Sequence, residues 1–187
     1  MKKQDWLWLA VAVVAFGVGF SSNHFCLFGH KNEEQNNVVG FRDKTIYPLE
    51  LDFSLANLNG QPVDSGQWQN EVVLINFWAT WCAPCLKEMP VLDSFHDQYR
   101  EHGLRVVGVS LDNEILTRQF VEKLGIDYSI LLGEQQGTRI GEVLNVPLFG
   151  LPATIAISAD RQQHQVFLGE LNKKKIKKLL ENVKFDI

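Results

Sequence analysis

Hydrophobic and polar positions change period several times along the chain, and each change marks an element. Val72-Val73-Leu74-Ile75-Asn76-Phe77-Trp78 is short, β-rich and apolar but for one residue, which predicts a strand buried on both faces. Leu104 to Ser110 predicts a second such strand and Tyr128 to Leu132 a third. Between them the apolar period becomes helical. One helix is predicted from Ala83 to about His102, with Met89, Leu92, Phe95 and Tyr99 on its apolar face and Gly103 as its stop. Pro90 inside it is expected to kink it. Further helices are predicted from about Asn113 to Leu124, closed by Gly125, and from Gln136 to Leu144. Strand and helix in succession require crossover connections and a parallel sheet.

The flanks differ. Leu51 to Leu55 alternates and is followed by Asn59-Gly60 and Gln61-Pro62-Val63, which predicts a β-hairpin ahead of the core. At the other end, Ile155-Ala156-Ile157, a turn at Ala159-Asp160-Arg161 and Gln165 to Leu168 predict an antiparallel pair. A closing helix from about Asn172 carries Ile176, Leu179, Leu180 and Val183 on one face. The lysines at 173–175, 177 and 178 read as its solvated face.

The N-terminal segment follows another pattern. After Met1-Lys2-Lys3 and Asp5, Trp6 to Phe28 contains no formally charged side chain, long enough to span a bilayer. Trp6 and Trp8 fit an interfacial belt. A cleaved signal peptide is the competing reading, with small residues around Gly19-Phe20-Ser21 at the cleavage positions. Because the uncharged stretch outlasts a normal h-region, a retained anchor over residues 1–29 is expected. A polar linker over 30–49 and a single domain over 50–187 follow. Lys2, Lys3 and the amino terminus against Lys31 place the N-terminus in the cytoplasm and the domain in the periplasm or its equivalent. His24, Cys26 and His30 beside the membrane exit read as incidental rather than as a metal cluster.

Composition narrows the chemistry. At 187 residues with 45% hydrophobic and 21% charged side chains, the chain can bury an ordinary core. A net charge of −4 gives no footprint for nucleic acid. Three cysteines exclude a disulfide-dense scaffold. Two of them form Trp81-Cys82-Ala83-Pro84-Cys85, where the buried strand gives way to the helix. Backbone N–H groups and the positive end of the helix dipole favour a thiolate there, so Cys82 is placed as a nucleophile. Cys85, one turn on, is close enough to close a disulfide with it. A zinc site would need four ligands, and a c-type haem site would need His where Leu86 stands. Redox chemistry without metal or organic cofactor is the reading.

With this motif, the in-helix Pro90 and Leu151-Pro152-Ala153-Thr154 before the antiparallel pair, residues 50–185 resemble the thioredoxin superfamily. The anchor, the hairpin and the long stretch from Cys85 to Pro152 resemble its membrane-anchored TlpA/ResA-like and DsbE/CcmG-like thiol-disulfide oxidoreductases. The resemblance implies a thioredoxin-like α/β fold: a central mixed β-sheet flanked by helices, an N-terminal β-hairpin and a central helix/strand insertion. It also implies that Cys82 attacks, Cys85 resolves and Pro152 is the cis-proline facing the disulfide. Thioredoxins proper carry a buried Asp where this chain has Asn76. ResA-like proteins are similar to it in pairing Asn there with a Glu at the position of Glu88, which implies that Glu88 manages the proton of Cys85. The partners implied are disulfide-containing clients, such as apocytochrome c or its maturation factors, and a DsbD-type membrane electron donor. An ScsD-like role in copper or oxidative stress and a copper metallochaperone using His164 stand as alternatives, as does net oxidation of clients.

Overall fold

The computed structural model describes residues 40–42, 45, 48, 49 and 51–187. The expected membrane anchor lies outside them; among the described residues no helix is long and apolar enough to cross a membrane.

Eight strands and four α-helices are described. The strands are β1 (Gly40–Phe41), β2 (Ser54–Ala56), β3 (Pro62–Asp64), β4 (Val72–Trp78), β5 (Leu104–Ser110), β6 (Ser129–Leu132), β7 (Ala153–Ile157) and β8 (His164–Leu168). The helices are α1 (Ala83–Tyr99), α2 (Glu114–Leu124), α3 (Glu134–Val143) and α4 (Lys173–Asn182). Six strands form one mixed sheet in the order β1-β8-β7-β4-β5-β6, and β2 and β3 pair separately as the expected hairpin. Strands β4, β5 and β6 are parallel, while β7 runs antiparallel to β4.

All seven residues of β4 are buried because both faces of the sheet are covered. Val72, Leu74 and Trp78 face a core built with Met89 and Leu92 of α1, Val121 of α2 and Ile176 and Leu179 of α4. Val73, Ile75 and Phe77 face a second core with Ile140 of α3, Leu55 of β2 and Trp68. The same face that holds Val72, Leu74 and Trp78 also carries Asn76, a fully buried polar residue in an apolar row.

Three local outcomes differ from the sequence expectation. The first helix ends at Tyr99, short of the expected His102, and passes into a 3-10 turn at Arg100–His102 before Gly103; Pro90 lies inside it with its ring exposed. The third helix starts at Glu134, two residues early, following β6 almost without a loop. The expected linker is structured at its end: β1 pairs with β8, Thr45 bridges His164, and the Leu49 N–H donates to the Arg161 carbonyl at 3.0 Å. β1 is only two residues long and the other contacts are single residues, so no periodicity announces them. They adopt strand geometry because β8 otherwise presents an unpaired edge.

Candidate active site

Strand β4 ends at Trp78, and the chain turns through Ala79, Thr80 and Trp81 into α1. The Thr80 N–H donates to Asp112 Oδ2 at 2.5 Å, tying this loop to the one after β5. Cys82 is the N-cap of α1: its backbone is extended, and its Sγ accepts from the Cys85 N–H at 3.3 Å. Pro84, in the first turn, lacks a donor where a helix leaves its donors unpaired anyway. Cys82 and Cys85 are joined in a disulfide, with their Cα atoms 5.3 Å apart. The pair is asymmetric. Cys82 keeps 5% of its surface and Cys85 none, while Trp81 beside them is 72% exposed. A thiolate formed at Cys82 is stabilised by the helix N-terminus, whereas a charge on Cys85 would be buried.

Pro152 reaches this site through the sheet. Phe77 pairs with Ala153, so Pro152 sits one step beyond, at the end of β4 from which the Cys82 loop departs. The Leu151–Pro152 peptide bond is cis, and the Pro152 carbonyl accepts from Gly169 N–H at 2.8 Å. Phe149, three residues before it, is 72% exposed.

Beneath the disulfide lies a polar cluster in an otherwise apolar core. Glu88 is one turn after Cys85 on the same helix face and is fully buried. Its Oε1 accepts from Asn76 Nδ2 at 2.7 Å, and its Oε2 accepts from the Leu171 N–H at 2.5 Å. Asn76 Nδ2 also donates to Thr154 Oγ1 at 2.9 Å. Burial pushes the Glu88 carboxyl up to about 8, against the opposing pull of the Leu171 and Asn76 hydrogen bonds; Glu170 adds to the rise and Lys175 opposes it. Glu88 therefore holds its proton at neutral pH and releases it just above. Tyr128, also fully buried, has its phenol held well above its usual range by burial and by Glu88.

The structure thus brings Cys82, Cys85, Glu88 and Pro152 to one end of the sheet. Thr154 and the Leu171 N–H complete the Glu88 cluster. Neither is given a role by the sequence: Thr154 closes the Leu151-Pro152-Ala153-Thr154 stretch with no chemistry assigned to it, and a backbone amide in a loop carries no motif. His164 is elsewhere. It pairs with Ile157, whose partner is Val73 at the start of β4, so at least ~13 Å of strand separates it from the end that leads to Cys82. That register sets His164 and the cysteine pair at opposite ends of the sheet.

Comparisons with known proteins agree with this geometry. The Redoxin family profile matches residues 44–182. The thiol-disulfide oxidoreductase ResA of Geobacillus kaustophilus is 30% identical over 135 residues, covering 71% of this chain and 75% of that protein. The ResA of Halalkalibacterium halodurans is 25% identical over 187 residues, 98% of this chain and 97% of its own length. Among solved structures, a secreted Mycobacterium tuberculosis disulfide oxidoreductase homologous to Escherichia coli DsbE superposes with a TM-score of 0.61 at 21% identity. That superposition covers 70% of this chain and 96% of that one.

Proposed function

The chain belongs to the Redoxin family and is a thiol-disulfide oxidoreductase of the ResA type, and from that premise we propose that it is a membrane-tethered reductant of exported proteins. Its substrates are disulfide-containing clients; the leading ones are the haem-binding cysteines of apocytochrome c or the factors that deliver them. The observation that carries this reading is the asymmetry of the cysteine pair: Cys82 caps α1 and keeps 5% of its surface, whereas Cys85 lies fully buried one turn from Glu88.

In the reduced state the Cys82 thiolate attacks a client disulfide. A Cys82–client bond forms and the other client sulfur leaves as a thiolate. The Cys85 thiol is opposed from ionising by burial and by any charge on Glu88. The ionised fraction of Glu88, a minority at neutral pH that grows as pH rises towards 8, takes up the Cys85 proton as that sulfur attacks Cys82. The client leaves as a dithiol and Cys82–Cys85 is oxidised. Two electrons are then returned by a membrane donor of the DsbD type. Pro152, one step beyond the Phe77–Ala153 pair, lets the backbone of Leu151 pair with an extended client strand. The uncharged stretch from Trp6 to Phe28 supports tethering, with the domain on the periplasmic side.

The deciding measurement is the reduction potential of the Cys82–Cys85 couple in the wild type. A value near that of thioredoxin, about −270 mV, is expected, and one near −120 mV would make the protein a disulfide donor. In parallel, Cys85→Ser should accumulate a mixed disulfide with reduced turnover, and Cys82→Ser should abolish exchange. Wild-type exchange by Cys82→Ser would overturn the scheme.

A further inference from the structure

Charge is unevenly distributed over the domain. Residues 51–172 carry seven Lys and Arg against fifteen Asp and Glu, whereas residues 173–184 carry six Lys against one Glu. Five of those lysines lie on α4. Its stripe of Ile176, Leu179 and Leu180 is buried, which leaves the charged side chains on the outer side. Lys173, Lys174, Lys177 and Lys178 are exposed, with Glu181 the acid among them. Among the described residues no ion pair engages any of these lysines. Lys175 and Lys178 instead sit over the rings of Phe167 and Phe41, at 5.0 and 4.6 Å, and Lys175 Nζ donates to the Glu170 carbonyl.

A basic face on an acidic body is directional. An anionic surface attracts α4 and repels the remainder of the domain, so one orientation is favoured. The position of the face identifies that surface. Phe41 belongs to β1, the first described strand, so the chain enters the domain beside α4. Eleven residues, 29–39, separate the uncharged stretch from β1 in sequence. At full extension they reach about 40 Å, which keeps the domain near any bilayer that holds the N-terminal segment. We infer that α4 is a docking face for an anionic phospholipid bilayer, its outer lysines seated on the headgroups. Each lysine close to such a surface strengthens binding about fivefold, and the attraction fades within a Debye length. The N-terminus of α4 follows Leu171, whose N–H holds Glu88, so docking also brings the Cys82 end of the sheet beside the membrane. A donor embedded in that membrane would meet it there.

The inference rests on the tethering reading, and the test separates the two. The full chain is reconstituted into vesicles of phosphatidylcholine, with or without phosphatidylglycerol, and trypsin cleavage after Lys175 and Lys178, which the variant below retains, is timed. Phosphatidylglycerol should slow cleavage at least about tenfold, an effect erased by high salt and by the Lys173→Gln/Lys174→Gln/Lys177→Gln variant. Exchange with a small disulfide should be the same in that variant as in the wild type. Equal cleavage on both lipids would overturn docking and leave the face to an acidic protein; protection that survives the triple change or high salt would overturn it too. If alkaline carbonate strips the chain from the vesicles, tethering fails on its own. Sedimentation of that same chain with phosphatidylglycerol vesicles then decides docking: binding lost in the triple variant supports it, and no binding overturns it.

Discussion

Glu88 shows how one residue links stability to chemistry. A carboxyl whose native value stands near 8 keeps a proton that the unfolded chain releases near 4.5. The unfolded state thus binds fewer protons between those values, and stability falls as pH rises from about 4.5 to 8, then levels off. The fall is at most about 5 kcal/mol, the full shift expressed as free energy. Glu88→Gln should remove this slope, which denaturant unfolding at acidic, neutral and alkaline pH would reveal; a slope unchanged in the variant would assign the effect elsewhere. The same substitution should remove an inflection near pH 8 from the pH dependence of the Cys82–Cys85 potential, read by equilibration against glutathione. The motif made Cys82 and Cys85 visible in the sequence because their spacing is itself the chemistry. Glu88 was readable only through resemblance, since a Glu in an early helical turn looks like a surface residue until its burial is known.

At the scale of elements, caps and close contacts decide how firmly the site is held. Asn172 caps α4, its side chain accepting from the Lys175 N–H at 3.0 Å, one residue after the amide that binds Glu88. Asn172→Ala should cost about 1 kcal/mol in a chemical melt. Gly108 on β5 lies opposite Asn76, and a Cβ there would come within 2.8 Å of Ile130 Cδ1, 3.0 Å of Tyr128 Cε2 and 3.2 Å of Trp78 Nε1. Gly108→Ala should therefore destabilise the domain by about 1–3 kcal/mol through overpacking, measurable by thermal unfolding. A variant as stable as the wild type would show that the Tyr128 and Trp78 rings move aside freely. The helix stops at Gly103 and Gly125 were legible because both take left-handed backbone, φ +87° and +63°. Strand β1 was not, because two residues carry no period and their pairing depends on a strand more than a hundred positions away.

For the whole molecule, strand order is what assembles the site. Strands β4 and β7 are adjacent although the chain between them forms two strands and three helices, and their antiparallel register sets Pro152 beside the Cys82 loop and Thr154 beside Asn76. The same order keeps His164 at the far end of the sheet. Beyond the described domain, the chain expressed in a bacterial host should stay with the membrane fraction through alkaline carbonate and keep its intact mass. Loss of about twenty residues into a soluble form would show a cleaved signal peptide instead, the length expected of such a segment.

The sequence by itself determined the alternation of buried strands and amphipathic helices, the hairpin and the reactive cysteine pair, because each is written in local periodicity or spacing. Only the tertiary structure decided that Asn76, Glu88, Thr154 and the Leu171 amide form one buried cluster. Those groups come from β4, α1, β7 and the loop before α4. Hydrogen bonds between distant segments have no sequence period, and burial, which raises Glu88, is a property of the packed molecule and not of the residue.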